Sequence, residues 1–150
     1  MNHKEYFNTL AEKWDDICSH DPEKLDAIIR IAGIKKGDRV LDAGTGTGVM
    51  IPLLAHCVGA DGEVTAVDIS DRMLEVARRK NKGFDNVKFI EGDILYADIP
   101  EEYYDSVMCY SVFPHFKDKR AAVLRLARLL KPGGSIVVCH SQGREAINNL

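Results

Sequence analysis

The stretch that most constrains this chain is Val40–Gly48, VLDAGTGTG. An apolar lead runs into an acid, and glycine then stands at every second position: Gly44, Gly46 and Gly48. The apolar run VMIPLLAHCV follows at once. The pattern predicts a buried strand, a tight glycine loop and the start of a helix. Glycine lacks a Cβ and tolerates positive φ, so such a loop lets backbone approach a ligand closely. The helix behind it presents free N–H groups and the positive end of its dipole.

The rest of the chain repeats the rhythm. Strands are expected at RVLDA, EVTAVDI, Asn86–Ile90, YYDSVMCYS and SIVVCHS, with helices at 49–58, 71–82 and 117–130. The strand cores are near-continuous apolar runs rather than alternations, as in a parallel sheet covered on both faces. Lys131-Pro132-Gly133-Gly134 reads as a sharp turn into the fifth strand. Upstream, Tyr6, Phe7, Leu10, Trp14 and Ile17 form one apolar stripe, predicting a helix over 3–17. Asp21-Pro22 opens a second helix that Gly33 ends. The expected organisation is one domain over 1–150, with a helical lid at 1–33 and a core at 36–141.

Composition narrows the function classes. A net charge of −3 gives no case for nucleic acid or a membrane surface. The polar start MNHKEYFNTLAEKWDD is no signal peptide, so a cytoplasmic setting is expected. Cys18, Cys57, Cys109 and Cys139 stand singly and suggest neither disulfides nor a zinc site.

In a parallel α/β sheet, ligands sit outside the carboxyl ends of the strands. Acids fall at three successive ends: Asp42, Asp68 and Asp93. Asp68 follows Gly48 by 20 residues, the place for a carboxylate that accepts ribose hydroxyls; a helix cap or an ion pair beside Arg72 is the other reading. Asp93 could accept from an adenine amino group while the Ile94 N–H meets a ring nitrogen, or it is a solvated loop acid. Asp42 decides between cofactors. Dinucleotide loops read GxGxxG and hold pyrophosphate on the helix N-terminus. Here the spacing is GxGxG, and a carboxylate two residues ahead would repel phosphate but suit a cation. The loop therefore points to a nucleoside with a cationic amino-acid tail, and disfavours a nicotinamide oxidoreductase.

As a set, VLDAGTGTG, AVDIS-DRML, EGDIL, YYDSVMCYSVFPHF and LARLLKPGGSIVV resemble the motifs of class I S-adenosylmethionine-dependent methyltransferases, in the group that includes the ubiquinone/menaquinone-biosynthesis enzymes. The resemblance runs from about residue 36 to 141. It implies a Rossmann-like parallel sheet in the order 3-2-1-4-5, and methyl transfer from S-adenosyl-L-methionine to a small-molecule acceptor, leaving S-adenosyl-L-homocysteine. Asp42, Gly44, Thr45, Gly46 and Gly48 would hold the methionine part, and Asp68 the ribose. Ile69 and Met73 would flank the adenosine, Asp93 and Ile94 would meet the adenine, and the Tyr110 carbonyl would accept from the ammonium.

Candidate general bases are His115 and His140, each otherwise a structural or exposed histidine; Ser111, Ser141 and Tyr110 share the rim, and His20 could face the site. Tyr6, Phe7 and Trp14 would close the pocket, unless they simply pack on the core. Lys117–Arg120 reads as a solvated helix start. Cys-Tyr-Ser-Val after strand four, where nucleobase methyltransferases carry a proline-containing segment, argues against a nucleic-acid acceptor.

The family's sheet usually ends in an antiparallel strand pair. Only SQGREAINNL follows strand five here, which reads as the start of a helix in a chain short of that pattern. Strand five would then be an exposed edge, open to pairing in a homo-oligomer. The alternative to an enzyme is a non-catalytic cofactor-binding module or assembly partner.

Overall fold

In a computed structural model of the chain, which describes residues 1–142, the glycine stretch begins as β1, Arg39–Ala43. Val40, Leu41 and Ala43 are fully buried, facing both sides of a sheet. β1 pairs in parallel with β2 (Glu63–Asp68) and with β4 (Tyr104–Tyr110). β3 (Val87–Glu91) adds to β2, and β5 (Leu130–Cys139) to β4. The order is therefore β3-β2-β1-β4-β5, as the resemblance implies, and its strands are parallel.

The pleat sends alternate residues to two cores. On one face Val40, Val64 and Met108 meet α3 (Pro22–Ala32) and α4 (Ile51–Val58). Beside them Ala66 meets Ala77 of α5 (Asp71–Lys80). On the other face Leu41, Ala43, Val107 and Cys109 meet Leu126 and Leu129 of α6 (Lys119–Leu129), with Ile94 and Ile99 from the β3–β4 connection. Asp21, Ser70 and Asp118 cap α3, α5 and α6 by accepting backbone N–H groups.

Two expectations change. The helix expected over 3–17 is broken into α1 (His3–Leu10), a 3₁₀ turn at Ala11–Lys13 and α2 (Trp14–Ile17). The tightened turn seats the buried Ala11 on Met73 and Val76 of α5. The Lys131–Gly134 turn is not a boundary before strand five. Leu130 already pairs with Tyr104, and the register resumes at Ser135 opposite Ser106, so the turn is a bulge inside β5.

β5 is the outer strand of the described sheet, with Val138 46% exposed. The helix expected to follow it falls mostly on residues 143–150, outside the described residues. Among the described residues, no helix is long and apolar enough to cross a membrane.

Candidate functional site

The strand ends open into a cavity of about 830 Å³, within the range of small-molecule sites. Its floor is the glycine loop, and each glycine there has a different physical reason. Gly44 has φ +68°, and a Cβ on it would stand 2.2 Å from Val112 Cγ2, so the loop after β4 packs directly on its backbone. Gly46, φ +58°, has nothing within 4 Å of where a Cβ would stand and lies on the cavity wall. Gly48 is not on the wall. A Cβ there would meet Asn81 Nδ2 and Ile51 Cδ1 at 2.9 Å, so its role is close packing on α5.

Asp42 is 2% exposed and also lies behind the wall. Thr45, which is on the wall, donates its hydroxyl to Asp42 Oδ2 at 2.7 Å. Burial pushes the Asp42 carboxyl up to about 6; the Thr45 bond opposes the rise and the charge of Asp68 adds to it.

Asp68 stands on the wall at the end of β2. Its Oδ2 accepts the Gly46 N–H at 2.8 Å and its Oδ1 the Ser70 N–H at 2.9 Å. Burial raises its carboxyl as well, against these backbone bonds. It is neither the cap of α5, which is Ser70, nor a partner of Arg72, which pairs with Glu75. It fixes the glycine loop to the start of α5 while keeping further lone pairs for a ligand.

Ile69 and Met73 line the cavity beside Asp68. Asp93 and Ile94 line it past β3, where Asp93 Oδ1 accepts the Leu95 N–H at 2.9 Å and shapes the turn. At the far side stand Tyr110, Ser111, His115, His140 and Ser141. Ser111 is held at φ +55°, rare for a residue with a side chain. Its N–H donates to the Cys139 carbonyl at 2.8 Å and its Oγ accepts the Ser141 N–H at 2.9 Å, tying the ends of β4 and β5 together.

The N-terminal segment roofs this cavity. Phe7 and Trp14 line it and pack against α5, but Tyr6 is 48% exposed and off the wall. The Phe7 ring sits 5.3 Å from that of His115, edge to face, with His3 5.6 Å from the same imidazole. Burial lowers the His115 imidazole, helped by His3 and His140 nearby.

The sequence reading missed the polar ties of this roof. Asn8 bonds Asp71 and Ser70 on α5, and Lys4 pairs with Glu91 at the end of β3 at 2.6 Å. Asp15 accepts the Thr47 hydroxyl of the glycine loop at 2.6 Å and pairs with Lys80 at 2.7 Å. His20 Nδ1 lies 2.8 Å from the Tyr110 hydroxyl. Nothing in local sequence could have found bonds that join residues so far apart in the chain.

The wall suits a nucleoside with a cationic tail. Carboxylates stand at the ends of β2 and β3, apolar Ile69, Met73 and Ile94 lie between them, and the half-buried Gly46 borders open space.

Comparison with known proteins agrees with this geometry. A family model described as a methyltransferase domain matches residues 34–149. The ubiquinone/menaquinone biosynthesis C-methyltransferase UbiE of Teredinibacter turnerae is 35% identical over 140 residues, covering 88% of this chain and 56% of that protein. The chain thus spans just over half the length of this relative. A SAM-dependent methyltransferase from Aquifex aeolicus superposes with a TM-score of 0.71 at 26% identity, over 88% of this chain and 69% of that one. A Haemonchus contortus phosphoethanolamine N-methyltransferase, solved with phosphomonomethylethanolamine and S-adenosylhomocysteine, gives 0.72 at 28% identity, over 78% of this chain and 28% of that one. With its strand order, glycine loop and strand-end acids, the chain belongs to the methyltransferase-domain family, as a class I S-adenosylmethionine-dependent member.

Proposed function

We propose that this chain transfers a methyl group from S-adenosylmethionine to a small-molecule acceptor. The observation that carries the reading is the division of one cavity. The glycine loop, Asp68 and Asp93 occupy the ends of β1 to β3, while Tyr110, Ser111, His140 and Ser141 occupy the ends of β4 and β5.

Asp68 would accept the ribose hydroxyls, with Ile69, Met73 and Ile94 against the adenosine and Asp93 at the adenine. Asp42 would act on the cationic tail through Thr45 and through its field rather than by direct contact. The Tyr110 carbonyl would accept from the ammonium. Bound S-adenosylmethionine supplies an activated methyl group on a sulfonium. What remains for the protein is orientation and exclusion of water, and alignment of this kind accounts for about 7–11 kcal/mol of barrier. The roof of Phe7 and Trp14 serves the exclusion.

The acceptor would enter at the β4–β5 side. The Teredinibacter relative is a C-methyltransferase of quinone biosynthesis, which makes a quinol the first acceptor to test. Calorimetry with S-adenosylmethionine, S-adenosylhomocysteine and NAD tests the cofactor. Transfer of labelled methyl to quinols, phenols, thiols and amines tests the reaction. Binding of NAD without binding of the adenosyl compounds would overturn the reading.

A further inference from the structure

Resting on that function, we infer that His20 and Tyr110 form the proton-accepting pair of the reaction, with the Tyr110 hydroxyl on the acceptor and His20 behind it. The tyrosine hydroxyl and His20 Nδ1 are 2.8 Å apart, and the two rings lie 5.5 Å apart, tilted by 49°. Both residues line the cavity.

Placement along the sheet puts this pair on the acceptor side, and the short contact between its two polar atoms sets it apart there. Asp93, Asp68 and the glycine loop hold the ends of β3, β2 and β1 in spatial order, so the adenosine fills that side and its tail crosses the glycine loop to the Tyr110 carbonyl. The reacting methyl must then face β4 and β5, and Tyr110 is the last residue of β4. His115 stands on that side too, but its ring packs against Phe7 and His3 of α1 rather than on a hydroxyl partner.

The pair is also held for the task. The Tyr110 ring is buried in the core formed with Leu25, Ile34 and Met108, which fixes where its hydroxyl points. His20 rides on the roof, whose Asp15 is tied to Thr47 of the glycine loop. Burial lowers the His20 imidazole; Asp15 acts against that shift and Lys80 with it. His20 is therefore held neutral at neutral pH, able to take a proton. Cys18 and Cys139 are the other titratable groups beside Tyr110; burial raises both thiols, so they add no charge there at neutral pH.

In the step, an acceptor X–H gives its proton to the Tyr110 oxygen as the tyrosine proton passes to His20 Nδ1. The electron pair left on X forms the bond to the methyl carbon. The carbon–sulfur bond breaks with its pair remaining on sulfur, turning sulfonium into thioether. His20 leaves as imidazolium and returns its proton to solvent.

The test compares Tyr110→Phe, His20→Asn and the unaltered chain on two probes with labelled S-adenosylmethionine. Hydroquinone must lose a proton to react, whereas 4-nitrothiophenol is already anionic at neutral pH. S-adenosylhomocysteine titrations on the same samples report folding and cofactor binding. The expected result is a fall in kcat of about 10²- to 10⁴-fold with hydroquinone in both variants. Transfer to the thiolate should change little, cofactor affinity should hold, and added imidazole should partly rescue His20→Asn. The acid limb of the hydroquinone pH profile should lie below the ordinary histidine range and vanish in His20→Asn. Equal transfer to hydroquinone by unaltered and variant chains overturns the pair. A parallel loss with both probes overturns it too, by marking a structural role. If the unaltered chain binds cofactor but methylates neither probe nor any acceptor of the wider panel, the transfer reading falls and takes the pair with it.

Discussion

Thr45 donates its hydroxyl to Asp42 across 2.7 Å and stands between that buried carboxylate and the cavity. In the cofactor reading proposed above, the acid therefore acts through this hydroxyl and through its field. Asp42 is held up to about 6 from an ordinary 3.8, because burial disfavours its charge. An acid raised in the folded state binds more protons folded than unfolded, so stability falls as pH rises from about 4 to about 6. The loss is of order 3 kcal/mol for Asp42. Asp42→Asn should therefore melt higher at neutral pH than the parent without ligand, and its melting temperature should vary less between pH 4 and 6. The same variant should bind S-adenosylmethionine more weakly, since the field that favours a cation is gone. Thermal melts across pH and calorimetry check the two halves separately.

Asp68 joins the loop to α5 through the Gly46 and Ser70 N–H groups. Charge-assisted bonds of this kind contribute about 1.5–3 kcal/mol each. Asp68→Ala should lose both, along with the ribose contact proposed for it, and cofactor affinity should fall by at least about tenfold. Asp68→Asn keeps an acceptor for one N–H and should fall between the two. Titration with S-adenosylhomocysteine gives the order; equal affinities across the three proteins would remove Asp68 from the cofactor site.

Much of this was open to sequence reading because it rests on local chemistry. Acids at strand ends, a glycine loop and apolar runs placed the cavity correctly. What stayed hidden depends on pairing and side-chain direction. The Lys131–Gly134 segment has the composition of a turn, and only the bond pattern of Leu130 with Tyr104 makes it a bulge. Tyr6 and Phe7 are neighbours on one stripe, and packing against Met73 and Val76 decides that Phe7 turns inward. Asp42 reads as a contact residue, but the Thr45 hydroxyl intervenes.

Gly44 makes a sharper prediction about the loop. An added methyl would lie 2.2 Å from Val112 Cγ2 and 2.7 Å from its Cβ, at a φ of +68° that side chains avoid. Gly44→Ala should cost on the order of 1–3 kcal/mol from the backbone alone, plus whatever displacement of Val112 adds. Val112→Ala in the same chain removes the nearest atom, Cγ2, while keeping Cβ at 2.7 Å, and should recover part of the loss. The two changes should therefore couple by about 0.5 kcal/mol or more. Denaturant melts of the four proteins measure that coupling; strict additivity would mean that the loop moves rather than clashes.

Asp15 ties the roof to the floor. It accepts from Thr47 at 2.6 Å and pairs with Lys80 at 2.7 Å. Its carboxyl lies below the usual range: partial burial would raise it, but the Lys80 and Thr47 bonds together outweigh that. The side chain is partly exposed, so its effect on global stability is small. Its effect should instead appear in ligand exchange, which a loosened roof should speed. Asp15→Ala should speed S-adenosylhomocysteine release several-fold with little change in melting temperature. Asp15→Asn keeps an acceptor for Thr47 and loses only the charge on Lys80, so its release rate should lie between. A depressed folded-state carboxyl makes the latch fail as pH falls through its pKa, so release from the parent should also quicken in acid. Stopped-flow displacement across pH measures this, and the acid acceleration should be smaller in Asp15→Ala, leaving the part that comes from protonation of Asp42 and Asp68.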